Sequence, residues 1–110
     1  MASSIFEEQV SRKPDNYPWT EEFCTAMHNG FWTDKEFSFQ SDVQDFKVEL
    51  NDEEREMVTR CLSAIAQIEV AVKTFWANVG QNLPHPSITD LGYVMANVEV
   101  IHNNAYERLL

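Results

Sequence analysis

Polar and apolar positions show no sustained period over the first fifty residues, and from Asn51 onward they fall into a helical rhythm. The stretch SRKPDNYP at 11–18 is polar, carries two prolines and reads as an extended lead-in. Pro18 suits a first helical turn, where its missing N–H is not needed, and Asn29-Gly30 suits a C-terminal cap with left-handed backbone angles. A short helix is therefore predicted from about 18 to 29. The following FWTDKEFSFQSDVQDFKVEL has aromatic residues without a period and is expected to be an irregular connector, with a turn of helix near Asp42 to Phe46.

At NDEE the signal sharpens. Asn51 is placed to cap a helix and Glu54 to reach back and complete a capping box. About 28 residues then follow with neither Pro nor Gly until Gly80, a helix of roughly 40 Å. Its middle, LSAIAQIEVAVKTFW, is apolar on more than one side, as in a helix covered by several neighbours. NLPHP breaks the pattern, and Ser87 with Asp90 predicts a second helix start. Leu91, Met95, Val98, His102, Ala105 and Leu109 then form one stripe at spacings of three and four. Nothing in the sequence caps the end of this helix.

Two long helices joined by a short loop make an antiparallel hairpin, and a hairpin cannot cover a helix that is apolar on several sides. The expected fold is all-α, a partial helical bundle made of the hairpin and a shorter N-terminal helix. In this reading residues 1–110 are a single partial domain, with lead-in, short helix and connector in 1–50 and the hairpin in 51–110.

Composition narrows the function classes. The 110 residues are 44% hydrophobic and 12% aromatic, enough for a core. With 8 Lys and Arg against 18 Asp and Glu, the formal charge of −10 disfavours nucleic acid and anionic membranes as partners. Cys24 and Cys61 fit no disulfide or C-x-x-C pattern and read as reduced thiols of a cytoplasmic protein. Neither a signal peptide nor a membrane-spanning run is evident.

The chemistry lies on the two long helices. In EVIHNNAY, Glu99, His102 and Tyr106 stand near one face, the first two about one turn apart. Glu-x-x-His on an inward face is how di-metal carboxylate bundles hold a metal. A chance occurrence on a solvated face is the plain alternative for this pair taken alone. Glu69, however, sits in the apolar run between AQI and VAV, where a lone carboxylate either protonates or holds a cation. Glu69 and Glu99 lie at about equal distances from a loop at 82–86, so an antiparallel hairpin brings them to the same height. Glu69, Glu99 and His102 are thus candidate metal ligands, with a buried ion-pair network around Lys73 as the rival.

Phe31-Trp32, the Glu69 run and EVIHNNAY together resemble the small, radical-generating subunit of class I ribonucleotide reductase, from about IFEEQV to the last residue. The resemblance implies a ferritin-like bundle holding two metals through six protein ligands, three of which fall on Glu69, Glu99 and His102. It implies that Tyr106 occupies the radical position and that Trp32 passes electrons to the metals. Such a subunit supplies an oxidising equivalent to a large subunit that reduces ribonucleotides to deoxyribonucleotides for DNA replication. The implied partners are that large subunit and a second copy of the complete small subunit.

Two departures from the family pattern shape the expectation. Glu69 stands where many members have Asp, an arrangement more similar to manganese-using variants in which the metals store the oxidising equivalent. Iron and manganese both suit the donors. In that light Lys73, one turn after Glu69, is expected to favour an anionic oxidant such as superoxide, against a plain Glu–Lys pair. The family's remaining glutamate and second Glu-x-x-His do not occur here, so the chain reads as the N-terminal half. It is expected to be inactive alone and completed by a complementary C-terminal fragment if the protein is split. Another ferritin-like two-metal oxidase, and a non-enzymatic acidic helical interaction module, are the alternative readings.

Overall fold

A computed structural model describes residues 4–110. Five helices follow in order: α1 (Thr20–Asn29), α2 (Gln40–Val48), α3 (Asp52–Ala77), α4 (Val79–Asn82) and α5 (Pro86–Leu109), with a 3-10 turn at Asp34–Glu36. No strand occurs among the described residues, and the architecture is all-α as expected. None of the described helices is long and apolar enough to cross a membrane.

The α3/α5 hairpin is the spine, and α1 lies along α5. The capping box opens α3 as the sequence predicts: Glu54 N–H donates to Asn51 Oδ1 at 2.9 Å, and Asn51 N–H donates to Glu54 Oε1 at 3.0 Å. The helix stops short of Gly80. The Asn78 side-chain amide donates to the Thr74 carbonyl at 3.0 Å and diverts the backbone there, and α4 then carries the chain one further turn.

Three expected termini differ. Gly30 has φ −93°, not a left-handed value, because its N–H still reaches the Ala26 carbonyl at 3.0 Å in helical phase. The start of α1 lies at Thr20 rather than Pro18: the Thr20 N–H and hydroxyl both donate to the Tyr17 carbonyl, a turn that precedes the helix. Ser87 does not cap α5. Pro86 takes the first helical position behind an extended His85, and Asp90 instead receives Arg12 at 2.6 Å. The connector is also more regular than its sequence suggests, with nine residues of helix in α2.

The lead-in is strapped over the α4–α5 junction. Gln9 N–H donates to the Pro84 carbonyl at 2.9 Å. His85, 1% exposed, places its ring nitrogens 3.4 Å from Gln9 Oε1 and 3.3 Å from the Ser4 carbonyl, with Tyr17 edge-on at 4.8 Å.

Close approach at the closed end of the hairpin depends on two glycines. A Cβ on Gly80 would stand 2.4 Å from Thr89 Oγ1, and one on Gly92 would stand 2.3 Å from Val79 Cγ1 and 2.5 Å from the Trp76 carbonyl oxygen. Because the Trp76 oxygen is backbone and cannot turn aside, Gly92→Ala is expected to cost about 1–3 kcal/mol. A denaturant midpoint equal to that of the parent would contradict this close packing.

The apolar interior is thin, with Ala66, Ile88 and Leu91 as its buried members. Ile65, Ile68, Val70 and Phe75 on α3 are all exposed. The radius of gyration is 18.8 Å, against about 13 Å for a compact chain of this length. The accessible surface of 7864 Å² likewise exceeds the roughly 6,300 Å² of a compact 12.8 kDa monomer. The flat hairpin therefore leaves the other sides of α3 uncovered, as its apolar pattern predicts.

Candidate metal centre

Ala66 sets the approach of the two long helices. It is 3% exposed, and its small side chain lets α5 come close enough for the Asn103 amide to donate to the Ala66 carbonyl at 3.4 Å. Glu69 follows one turn later on this face of α3. On α5, Glu99 and His102 meet it from the same level.

One ligand atom from each of Glu69, Glu99 and His102 lies within 4.8 Å of the others. His102 Nδ1 is 3.2 Å from Glu99 Oε2 and 3.6 Å from Glu69 Oε2. Glu99 is buried, and the Glu69 side chain is only 16% exposed. Two carboxylates so placed repel. The Glu69 pKa is raised, first by a hydrogen bond to Glu99, then by burial and by the Glu99 charge, with His102 opposing. A cation would relieve this crowding, and two hard oxygen donors with an imidazole fit iron or manganese. The donor set therefore fits the metal that the sequence implies.

Lys73 does not neutralise the pair. Its Nζ is directed to Asn103 Oδ1 at 3.5 Å, and no ion pair joins it to Glu69 among the described residues. The ion-pair network considered from sequence is absent there. Asn103 joins α5 to both Lys73 and the Ala66 carbonyl of α3; its position four residues after Glu99 is the sequence signal that places it on this face.

Trp32 stacks on His102, with ring centroids 5.7 Å apart and planes at 25°, and Phe37 meets the indole edge-on at 5.3 Å. A cleft of about 370 Å³ between α1 and α5 reaches Glu99, His102 and Trp32 past Met27, Phe31 and Met95. Tyr106 is half-buried on α5, one turn beyond His102. Its hydroxyl makes no hydrogen bond among the described residues, so the plain role of a hydrogen-bonded core tyrosine is not seen. The structure thus brings Glu69, Glu99, His102 and Trp32 together, with Lys73 joined through Asn103 and Tyr106 along the same helix.

Comparison with known proteins shows the family to which the chain is similar. The family described as ribonucleotide reductase, small chain, matches residues 9–110. The chain is also 27% identical over 94 residues to the ribonucleoside-diphosphate reductase subunit beta of Treponema pallidum (strain Nichols). That stretch covers 86% of this chain and 26% of that protein, so the chain spans about a quarter of the length of this curated relative.

Proposed function

Since the chain belongs to the ribonucleotide reductase small-chain family, we propose that it contributes half of a dinuclear metal centre serving the reduction of ribonucleoside diphosphates. The observation that carries this reading is the convergence of Glu69, Glu99 and His102 within 4.8 Å. When bound, an iron or manganese pair would supply the one-electron oxidising power. Glu69 and Glu99 provide the negative charge that holds the cations, and His102 provides a nitrogen donor whose ring is kept in place by Trp32.

Trp32, in contact with a ligand ring, is suited to pass an electron inward. Tyr106 is the residue to be oxidised in this reading, its electron going to the metals when bound and its phenolic proton to solvent at the half-buried ring. The exposed apolar faces of α3 suit further helices of the same bundle, which would bring the remaining ligands, whether from the same polypeptide or a complementary one. The partners in this reading are the reductase large subunit and a second copy of the complete small subunit. The setting is the cytoplasm, which suits the free thiols Cys24 and Cys61.

Metal analysis of the protein in its native complex tests the proposal. Bound iron or manganese is expected; a folded complex that takes up neither would overturn it in favour of a helical interaction module.

Lys73 is the cationic group of this region and would attract an anionic oxidant. In Lys73→Met, activation by superoxide is expected to slow about tenfold while activation by dioxygen is unchanged. Equal rates with superoxide in the variant and the parent would remove Lys73 from this role.

A further inference from the structure

Trp32 lies outside the helices, and no hydrogen bond to its indole occurs among the described residues. Its stacking on His102 is therefore set by the edge-on Phe37 and by the backbone that carries both rings. That backbone runs into the Asp34–Glu36 turn, which is internally stiff. The Thr33 N–H donates to Glu36 Oε2 at 2.5 Å, and the Glu36 N–H donates to the Thr33 carbonyl at 3.1 Å.

The turn is tied to α5 by one side chain. The Arg108 guanidinium donates to the Asp34 carbonyl, lies 3.7 Å from Asp34 Oδ2 and covers the Phe39 ring at 5.6 Å. Among the described residues no other hydrogen bond or ion pair joins residues 31–39 to α5. An arginine suits this task because one guanidinium nitrogen, Nη1, meets the Asp34 carbonyl with the Asp34 carboxylate beside it, while the planar face lies on an aromatic ring.

We propose that Arg108 is a positioning residue that clamps the Asp34–Glu36 turn to α5 and thereby holds Trp32 against His102. The inference rests on the reading of Trp32 as the electron-passing residue. It adds a structural cause for that contact: the helix bearing Glu99 and His102 also bears, beyond His102, the group that sets the indole in place.

The test uses the native full-length protein, or its native complex, labelled with 5-fluorotryptophan. The Trp32 resonance is identified by its loss in Trp32→Phe. In Arg108→Gln this resonance is expected to broaden and move toward the position of a solvent-exposed tryptophan, with metal content unchanged. Electron delivery from an external reductant to the loaded centre is expected to slow by about tenfold or more, as for small misplacements of a reacting group. Arg108→Lys, which keeps the charge but not the planar group over Phe39, is expected to fall between the two and carries the same test if Arg108→Gln does not fold.

An unmoved Trp32 resonance and an unchanged rate in a variant that loads metal would overturn the clamp alone. A parent protein that takes up neither iron nor manganese would instead overturn the reading of the centre. The fluorine resonance still reports the clamp in that case.

Discussion

Glu99→Gln is expected to abolish metal loading while leaving the metal-free fold at least as stable as the parent. Glu99 is the most buried of the three donors, and both Glu69 and His102 approach it. Loss of an outer hydrogen-bonding partner typically costs a metal site about 10- to 100-fold in affinity, so loss of a ligand itself should exceed about a hundredfold. Reductase activity of the complete enzyme should fall to background with it. Stability should move the other way. With Gln at 99, Glu69 no longer faces a second carboxylate, and relief of that like-charge repulsion favours the metal-free fold. Metal titration and denaturant unfolding together check the result. A variant that keeps parental affinity would remove Glu99 from the ligand set; one that loses both metal and fold would make it a structural group.

The second large effect is expected at Tyr106. Its hydroxyl has no hydrogen-bond partner among the described residues, so Tyr106→Phe should change stability by less than about 0.5 kcal/mol and leave metal content unaltered. The tyrosyl radical signal in paramagnetic resonance should nevertheless disappear, and activity with it. Full activity in the Phe variant would show that the oxidising equivalent resides elsewhere, as in the manganese-using variants that Glu69 resembles. The small expected stability change makes this a clean separation of chemistry from packing.

Local signals were legible in the sequence wherever one helix determines them. The Asn51–Glu54 capping box is such a case, because all its atoms lie within one turn. The height match of Glu69 with Glu99 was legible for a related reason: a hairpin with rigid arms converts equal distance from the loop into spatial proximity. Termini were less legible. Gly30 and Ser87 were both plausible caps, but the first stayed in helical phase and the second was pre-empted by Pro86. Least legible were contacts between distant segments without periodicity. Nothing in FWTDKE or YERLL shows that Arg108 meets Asp34, and nothing in NLPHP shows that His85 becomes the most enclosed side chain of the described residues. These contacts depend on how the lead-in and connector lie across the hairpin, which no local pattern encodes.

The strap over the α4–α5 junction also orders the way the chain acquires its shape. Lys73 meets Asn103 across 30 residues of sequence, and Asn103 meets Ala66 across 37. Gln9 and Ser4 reach His85 across 76 and 81, and Arg108 reaches Asp34 across 74. Each doubling of a closed loop adds about 0.6 kcal/mol of entropic cost, and the longer closures gain contacts only once the hairpin offers a surface to receive them. The hairpin bearing the three donors is therefore expected to form first, with the strap and the Trp32 segment docking last and opening first. The donors would then be gathered before the tryptophan arrives beside them.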